Sequence, residues 1–299
     1  MPEIVAIYAA IAVRLLPVFV CVAVGAEWAR RKLPYPAPAI SLLVTSVAAP
    51  ALVFHTLATT RLSNALLLQI GAAAVLGLIA MSLLSMLCLR LLGLPVRALV
   101  PTCVFPNTGN LGLPLSQLAF GDNGLAVAVA FLAVCSFIQH TLGVRMLSGR
   151  TGSAAEWKSP VMLATLSVAS MRAAGIELPG PVLNSASLLG SLAMPLMLLS
   201  LGHTVMTMPS SSLGKGSCVG MVRLGVGVAA GTAVVVLLCL PGGIAGPTLL
   251  QMMMPAAVTS YMYAQRHTSH ADISAAAVAS STVGFFAACP LVLWYAGMY

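Results

Sequence analysis

The residues whose types and spacing could perform chemistry are concentrated in one stretch, PTCVFPNTGNLGLPLSQLAF, from residue 101 to residue 120. It combines helix-breaking and small polar residues, namely Pro106, Asn107, Thr108, Gly109, Asn110, Gly112 and Pro114. Proline removes a backbone donor and clashes with the preceding turn, while glycine relaxes the φ constraint, so a helix should unwind here. The break would expose a half-helix N-terminus, whose free N–H groups and partial positive charge bind an anion without any basic side chain.

A second candidate break surrounds Pro255 in MMMPAAVTSYMYA, where small and hydroxylated residues follow the proline. Two broken helices that cross near the middle of a membrane form a recurring transporter site. The alternative is a pair of helices that are kinked for packing and not broken. Pro255 alone is weaker evidence for a break than the several prolines, glycines and asparagines of the first stretch. The expected substrate-binding residues are Asn107, Thr108, Gly109, Asn110, Pro106, Pro255, Ala256, Thr259, Ser260 and Arg14.

The composition of the chain bears on where such helices could lie. Of 299 residues, 60% are hydrophobic and 7% are charged, against roughly 45–50% and about 25% in soluble domains. Lipid must therefore cover most of the outside. The formal charge of +8 comes from short basic clusters between apolar runs, which suits membrane topology better than a nucleic-acid surface. The seven cysteines form no CxxC or Cys/His pattern, so neither zinc nor a disulfide framework is expected.

Apolar runs of about 20 residues, the length that crosses the hydrocarbon core, indicate an all-α transmembrane protein with ten helices. The candidate spans are 4–27, 38–58, 64–89, 97–119, 123–144, 159–174, 182–206, 218–240, 246–265 and 273–296. Eleven of the fourteen basic residues are assigned to the loops after the odd-numbered spans: Arg30, Arg31, Lys32, Arg90, Arg97, Arg145, Arg150, Lys158, Lys215, Arg223 and Arg266. Because basic loops stay in the cytoplasm, both termini are predicted outside.

Landmarks recur between the two halves of the chain. Pro50 and Pro195 are separated by 145 residues, Pro106 and Pro255 by 149, and Asp122 and Asp272 by 150. Five spans per half is an odd number, so the second half would enter the membrane with opposite topology. The sequence therefore predicts two inverted five-helix repeats, residues 1–150 and 151–299; coincidence among proline-rich helices is the alternative.

Polar residues outside the two breaks support less specific expectations. Arg14 lies within the first span, where a charge either serves function or reaches the headgroups, and both interpretations stay open. Spans three, four, eight and nine contain no carboxylate. Sodium held by neutral oxygens, proton coupling and uncoupled movement therefore all remain, and no other cofactor is expected. The possible ion or coupling residues are Gln139, His140, Ser280, Ser281 and Thr282.

Several segments resemble the auxin efflux carrier family, which includes plant PIN proteins and bacterial malonate/malate-type carriers. They are FPNTGNLGLPL (105–115), LPVFVCVAVGAEWARRK (16–32), GIELPGPVLNSASLLGSLAMPLMLLSLG (175–202), MPAAVTSYMYAQRH (254–267) and ASSTVGFFAACPLVLW (279–294). The resemblance implies a fold related to sodium/bile-acid symporters, with crossed broken helices. Asn107, Asn110, Pro106 and Pro255 would be its crossover residues. The loop 145–158 is short, unlike that of long-loop PIN proteins, which favours a bacterial inner-membrane carrier.

The resemblance also implies a division of labour among the spans. Spans one, two, six and seven would form a scaffold that makes a homodimer, and spans three to five and eight to ten would form a transport domain that moves like an elevator. The expected function is secondary transport of small organic anions such as malonate, malate or auxin-like acids. A sensor or channel with the same fold is the alternative. An intramembrane enzyme is disfavoured, since HExxH, GxGD, GxSxG and paired intramembrane acids are all missing.

Overall fold

The computed structural model of the protein describes residues 2–143, 145–146, 159–209 and 211–299. In the first helix, the side chains of residues 2–12 and 14 lie outside that description. Within the described residues the regular structure is helical, and the only extended pairing is an isolated antiparallel bridge between Pro106 and Ala256. The helices are α1 (Pro2–Arg30), α2 (Ala37–Leu43), α3 (Ala49–Thr59), α4 (Asn64–Leu91), α5 (Val96–Val104), α6 (Leu113–Ile138), α7 (Pro160–Ala173), α8 (Gly180–Gly190), α9 (Ala193–Thr207), α10 (Leu213–Leu237), α11 (Gly242–Met253), α12 (Val258–His267) and α13 (Ala271–Ala296).

Three short π-helical turns join or extend these helices. Val44–Ala48 connects α2 to α3, Thr108–Gly112 leads into α6, and Gln139–Gly143 follows α6. Within α6 the backbone departs from helical geometry at Gly121, with φ 64° and ψ −155°. Only glycine adopts such a φ readily, so this residue turns the chain between two helical segments that were predicted as separate spans.

Six helical segments of the described chain are long and apolar enough to cross a membrane: Ala37–Thr59, Asn64–Leu91, Thr108–Gly143, Gly180–Thr207, Leu213–Leu237 and Ala271–Ala296. Their outward surfaces carry large exposed apolar side chains, with Leu68, Leu188 and Leu237 each about three-quarters exposed. Exposure of so many apolar side chains to water would be unfavourable on helices with so few charged residues. Exposure of the same side chains to lipid is not. The fold is therefore an all-helical, multi-pass arrangement.

Close helix packing depends on small residues. An added Cβ at Gly25 of α1 would overlap the Leu199 carbonyl of α9, and one at Gly202 of α9 would overlap the Val22 carbonyl of α1. In each helix, therefore, a glycine packs directly against the backbone of the other helix. Small residues at such positions let membrane helices approach closely, and this explains why α1 and α9 pack along much of their length.

Hydrogen bonds tie the connections between helices to distant parts of the chain. Asn123, just after the Gly121 turn, donates to the Gly243 carbonyl at 2.9 Å. Arg97, at the start of α5, donates to the Met146 carbonyl at 3.0 Å. Arg172 at the end of α7 donates to the carbonyls of Leu57, Thr60 and Leu62 at 2.7–3.2 Å. The turns are thus tied by hydrogen bonds to neighbours from distant parts of the sequence.

One residue was assigned wrongly from the sequence. Arg223 was counted among the loop cations, but it lies within α10 and its side chain is fully buried. The number of basic residues assigned to those loops falls from eleven to ten, of which Arg150 and Lys158 lie outside the described residues. The error arose because a single arginine near the edge of an apolar run looks the same in sequence whether it ends the helix or enters the core.

Candidate functional site

The predicted helix break at Pro106 is confirmed. Helix α5 ends at Val104, Phe105 is extended with φ −85° and ψ 111°, and Asn107 has a non-helical φ of −76° and ψ of 60°. A new helical turn begins at Thr108. The non-helical residues are buried, so they are enclosed by protein, the condition under which irregular backbone is tolerated at membrane depth.

The chain is also broken at Pro255. Helix α11 ends at Met253, and Met254 is extended with φ −55° and ψ 149°. Ala257 is extended with φ −69° and ψ 137°, and α12 begins at Val258. A proline kink inside one continuous helix is thereby excluded, and the chain presents a second half-helix N-terminus.

The two breaks cross each other and exchange backbone hydrogen bonds. The Asn107 N–H donates to the Pro255 carbonyl at 2.8 Å, and the Ala257 N–H donates to the Phe105 carbonyl at 3.0 Å. The donors are 150 residues apart in the chain and so are the acceptors. This reciprocal pair satisfies polar groups that proline and extended geometry would otherwise leave buried and unpaired.

The helical turn after the first break keeps donors available. The Thr108 N–H donates to the Pro106 carbonyl at 2.8 Å, and the Gly112 N–H donates to the Asn107 carbonyl at 3.0 Å. Between them lie the N–H groups of Gly109 and Asn110, which as first-turn groups have no intrahelical partner. Both residues are partly exposed. This half-helix N-terminus therefore presents donors and a partial positive charge to whatever enters the crossing.

The Asn107 side chain is the most informative polar group at the crossing. It is 4% exposed, and its amide nitrogen Nδ2 is buried without a partner among the described residues. Leaving a buried donor unpaired costs about 1–3 kcal/mol. Such a group calls for a functional or structural explanation, and an acceptor brought by a ligand supplies one here.

Arg223 binds the C-terminal ends of the two helices that precede the breaks, α5 and α11. Its guanidinium donates to the carbonyls of Cys103 at 2.8 Å and Val104 at 3.3 Å, the last residues of α5. It also donates to the carbonyls of Met252 at 2.5 Å and Met254 at 3.1 Å, where α11 ends. This role was not predicted from the sequence. The available signal was a charged residue within a span predicted at 218–240, which the cost of burying a charge marks as functional.

Gln251 is a second residue that the sequence analysis did not single out. The side chain lies fully buried in the last turns of α11. Its Nε2 donates to the Gly112 carbonyl at 3.0 Å and to Ser116 Oγ at 2.8 Å, while its Oε1 is buried without a partner among the described residues. Gln251 thus ties one broken helix to the start of the other.

The structure divides the remaining candidates into those near the crossing and those that pack elsewhere. Thr259 is exposed, and its hydroxyl accepts from Gln139 Nε2 at 2.8 Å, which brings Gln139 to the second half-helix start. The buried Ser260 hydroxyl donates to the Pro101 carbonyl at 3.2 Å. His140 contacts the Ser136 carbonyl through Nδ1 at 2.7 Å. Thr259 is therefore exposed, whereas Ser260 bonds across to α5 and His140 bonds to the preceding turn of its own helical segment.

The three candidate hydroxyl residues of α13, Ser280, Ser281 and Thr282, have different partners. Ser281 Oγ accepts from the Ala256 N–H at 3.1 Å, directly at the second break. Thr282 donates to the Val278 carbonyl at 2.7 Å within its own helix, and Ser280 lies 3.4 Å from the Gly216 carbonyl of α10. Arg14 lies in α1, but its side chain is outside the described residues.

Comparison with known proteins shows the family of the chain. No curated protein matches the chain. Residues 10–178, just over half of the chain, match the profile of the family described as membrane transport protein, the membrane domain of auxin efflux carriers. The matched range includes the first break with Asn107 and its neighbours, one of the segments that resemble the auxin efflux carrier family. The chain belongs to the membrane transport protein family of auxin efflux carriers.

Proposed function

We propose that the protein is a secondary transporter of small organic anions, mono- or dicarboxylates such as malonate, malate or auxin-like acids. The observation that carries the proposal is the buried Asn107 Nδ2, which has no partner among the described residues and lies beside a half-helix N-terminus. Amide and backbone N–H groups hydrogen-bond to a carboxylate, and the helix dipole favours its charge. The site contains no acidic side chain that would repel it: Pro106, Asn107, Thr108, Gly109, Asn110, Pro255, Ala256, Thr259 and Ser260 are uncharged.

The proposed architecture is ten spans in two inverted repeats, with α1–α3 and α7–α9 as scaffold and the other helices as transport domain. The reciprocal bonds at an offset of 150 residues support the repeat. The most extensive helix contacts, α1 with α9, α3 with α7 and α10 with α13, fall within one proposed domain or the other. Such a division suits an elevator-like motion of one domain against the other.

A polar cavity supports a route to the site. It has a volume of about 540 Å³ and lies between the end of α3 and the Gly121 turn of α6, at the boundary of the two proposed domains. Its lining includes His55, Thr59, Arg61, Asp122 and Asn123. The lining combines Arg61 and hydroxyl groups, which would attract an anion, with the carboxylate of Asp122, which would repel it. Homodimerisation through the scaffold, a bacterial inner-membrane location and external termini complete the proposal.

Uptake into proteoliposomes tests the function. Purified protein is reconstituted, and the flux of radiolabelled malonate, malate and indole-acetate is measured as a function of concentration. We expect saturable flux for at least one of them. Folded protein that moves none of the three would rule out the anion proposal, whereas binding without flux, or rates far above carrier turnover, would favour a sensor or channel.

A further inference from the structure

The unusual feature of the crossing is a buried cation whose partners are backbone groups. Arg223 is fully buried, and its guanidinium contacts four backbone carbonyls and, at 3.1 Å, the Met81 thioether sulfur. An arginine side chain stays charged in proteins. An isolated buried charge is costly, so its position must be compensated by the groups around it.

The compensation comes from the ends of the broken helices. The C-terminus of a helix carries roughly half a negative elementary charge on its unpaired carbonyls. Two such ends, those of α5 and α11, meet at Arg223, and together they balance about one positive charge. Arg223 neutralises the C-termini of α5 and α11. The positive N-termini that follow the two breaks therefore stay available to an anion.

In broken-helix transporters, unwound carbonyls and half-helix C-termini are the groups that coordinate a sodium ion or a proton carrier. In this chain, arginine donors occupy the corresponding carbonyls. We infer that Arg223 is a tethered cation that neutralises both half-helix C-termini, so that the crossing is assembled for its anion without a metal cation at these carbonyls. Arg223 is thus a positioning residue, and the inference rests on the proposed function for its transport consequence.

A neighbouring glycine leaves the space that the guanidinium of Arg223 occupies. A Cβ at Gly227, one turn after Arg223, would lie 2.5 Å from the Met252 carbonyl oxygen and 3.2 Å from Arg223 Nη2. Only a residue without a side chain leaves room for the guanidinium and this carbonyl to meet. Gly227 therefore provides geometric support that is independent of the hydrogen bonds.

Chemical rescue tests the inference, with Arg172 as the matched control. Arg172 also donates to backbone carbonyls, but at the turn after α3 and away from the crossing. Arg223→Ala and Arg172→Ala are purified, and their unfolding temperatures are measured with guanidinium chloride well below denaturing concentrations or with choline chloride. A ligand that binds only the folded state raises its stability. We expect guanidinium to raise the unfolding temperature of Arg223→Ala by several degrees and that of Arg172→Ala not at all.

A rise no larger for Arg223→Ala than for Arg172→Ala would overturn the inference. This measurement needs no transport, so its failure is distinguishable from failure of the proposed function. If Arg223→Ala is not recovered folded, Arg223→Lys and Arg172→Lys are compared in uptake. Because an ammonium cannot reach all four carbonyls, we expect uptake by Arg223→Lys to fall about tenfold. Equal uptake by the two lysine variants would refute the role.

Discussion

The side chain of Gln251 donates to the Gly112 carbonyl at 3.0 Å, and Gly112 has no side chain that would block it. An added Cβ at position 112 would overlap the Gln251 amide. The two residues are 139 positions apart in the chain, yet the space beside Gly112 is filled by the Gln251 amide. This contact joins the end of α11 to the start of α6, and so holds one broken helix at a set distance from the other.

The contact between Gly112 and Gln251 predicts a non-additive pair of substitutions. Gly112→Ala should lower the free energy of unfolding by about 1–3 kcal/mol through overpacking, and Gln251→Ala by about 1–3 kcal/mol through lost hydrogen bonds. The double variant should lose less than the sum, since the methyl group enters the space that the amide leaves. Denaturation of all four proteins in detergent measures this, and strict additivity would contradict the contact.

Asn107→Ala should separate transport from stability. Alanine removes a buried donor that has no partner among the described residues, and this gain offsets the packing lost with the side chain. The free energy of unfolding should therefore change by about 1 kcal/mol or less. Uptake should fall about tenfold or more, since a hydrogen bond to a charged ligand is removed. Thr248→Val is the control, because Thr248 Oγ1 is also buried and unpaired among the described residues but lies within α11. Unchanged uptake kinetics in Asn107→Ala would remove Asn107 from the site.

Two glycines of α10 form a matched pair around Arg223. Gly227→Ala should destabilise the protein by about 1–3 kcal/mol, because the methyl group meets the Met252 carbonyl and the guanidinium. Gly225→Ala meets nothing within 4 Å, and should be neutral or stabilising by up to about 1 kcal/mol through helix propensity. Thermal unfolding of both variants gives the comparison. Equal behaviour of the two would show that the space at residue 227 is not needed.

The proposed orientation can be tested with native Cys239. This residue is exposed and has a positive φ of 46° in the turn between α10 and α11. With external termini this turn lies outside, so a membrane-impermeant maleimide should label it in intact cells. Cys239→Ser should abolish the labelling. Ser269→Cys in that background, in the exposed connection between α12 and α13, should react only after permeabilisation. The reverse pattern would invert the topology.

The sequence by itself determined where the helices break. Proline cannot continue the hydrogen-bond ladder, and the dense glycine and asparagine after Pro106 relax or replace the backbone contacts. The density of these residues around Pro106 matters, because the isolated prolines Pro17, Pro101, Pro247 and Pro290 remain inside helices. The apolar runs likewise predicted membrane-spanning helices, because the hydrophobicity of a segment depends only on the residues it contains.

Only the tertiary structure decided which groups meet at the breaks. The sequence did not indicate that the Ser260 hydroxyl would donate to the Pro101 carbonyl, and Arg223 was assigned to a loop although its guanidinium donates to carbonyls at the ends of two helices. The partners in these contacts are 29 to 159 residues apart. No local property of an arginine or a serine specifies such a partner. It follows from how the helices pack and from the high cost of leaving a charge or a carbonyl unpaired in the protein interior.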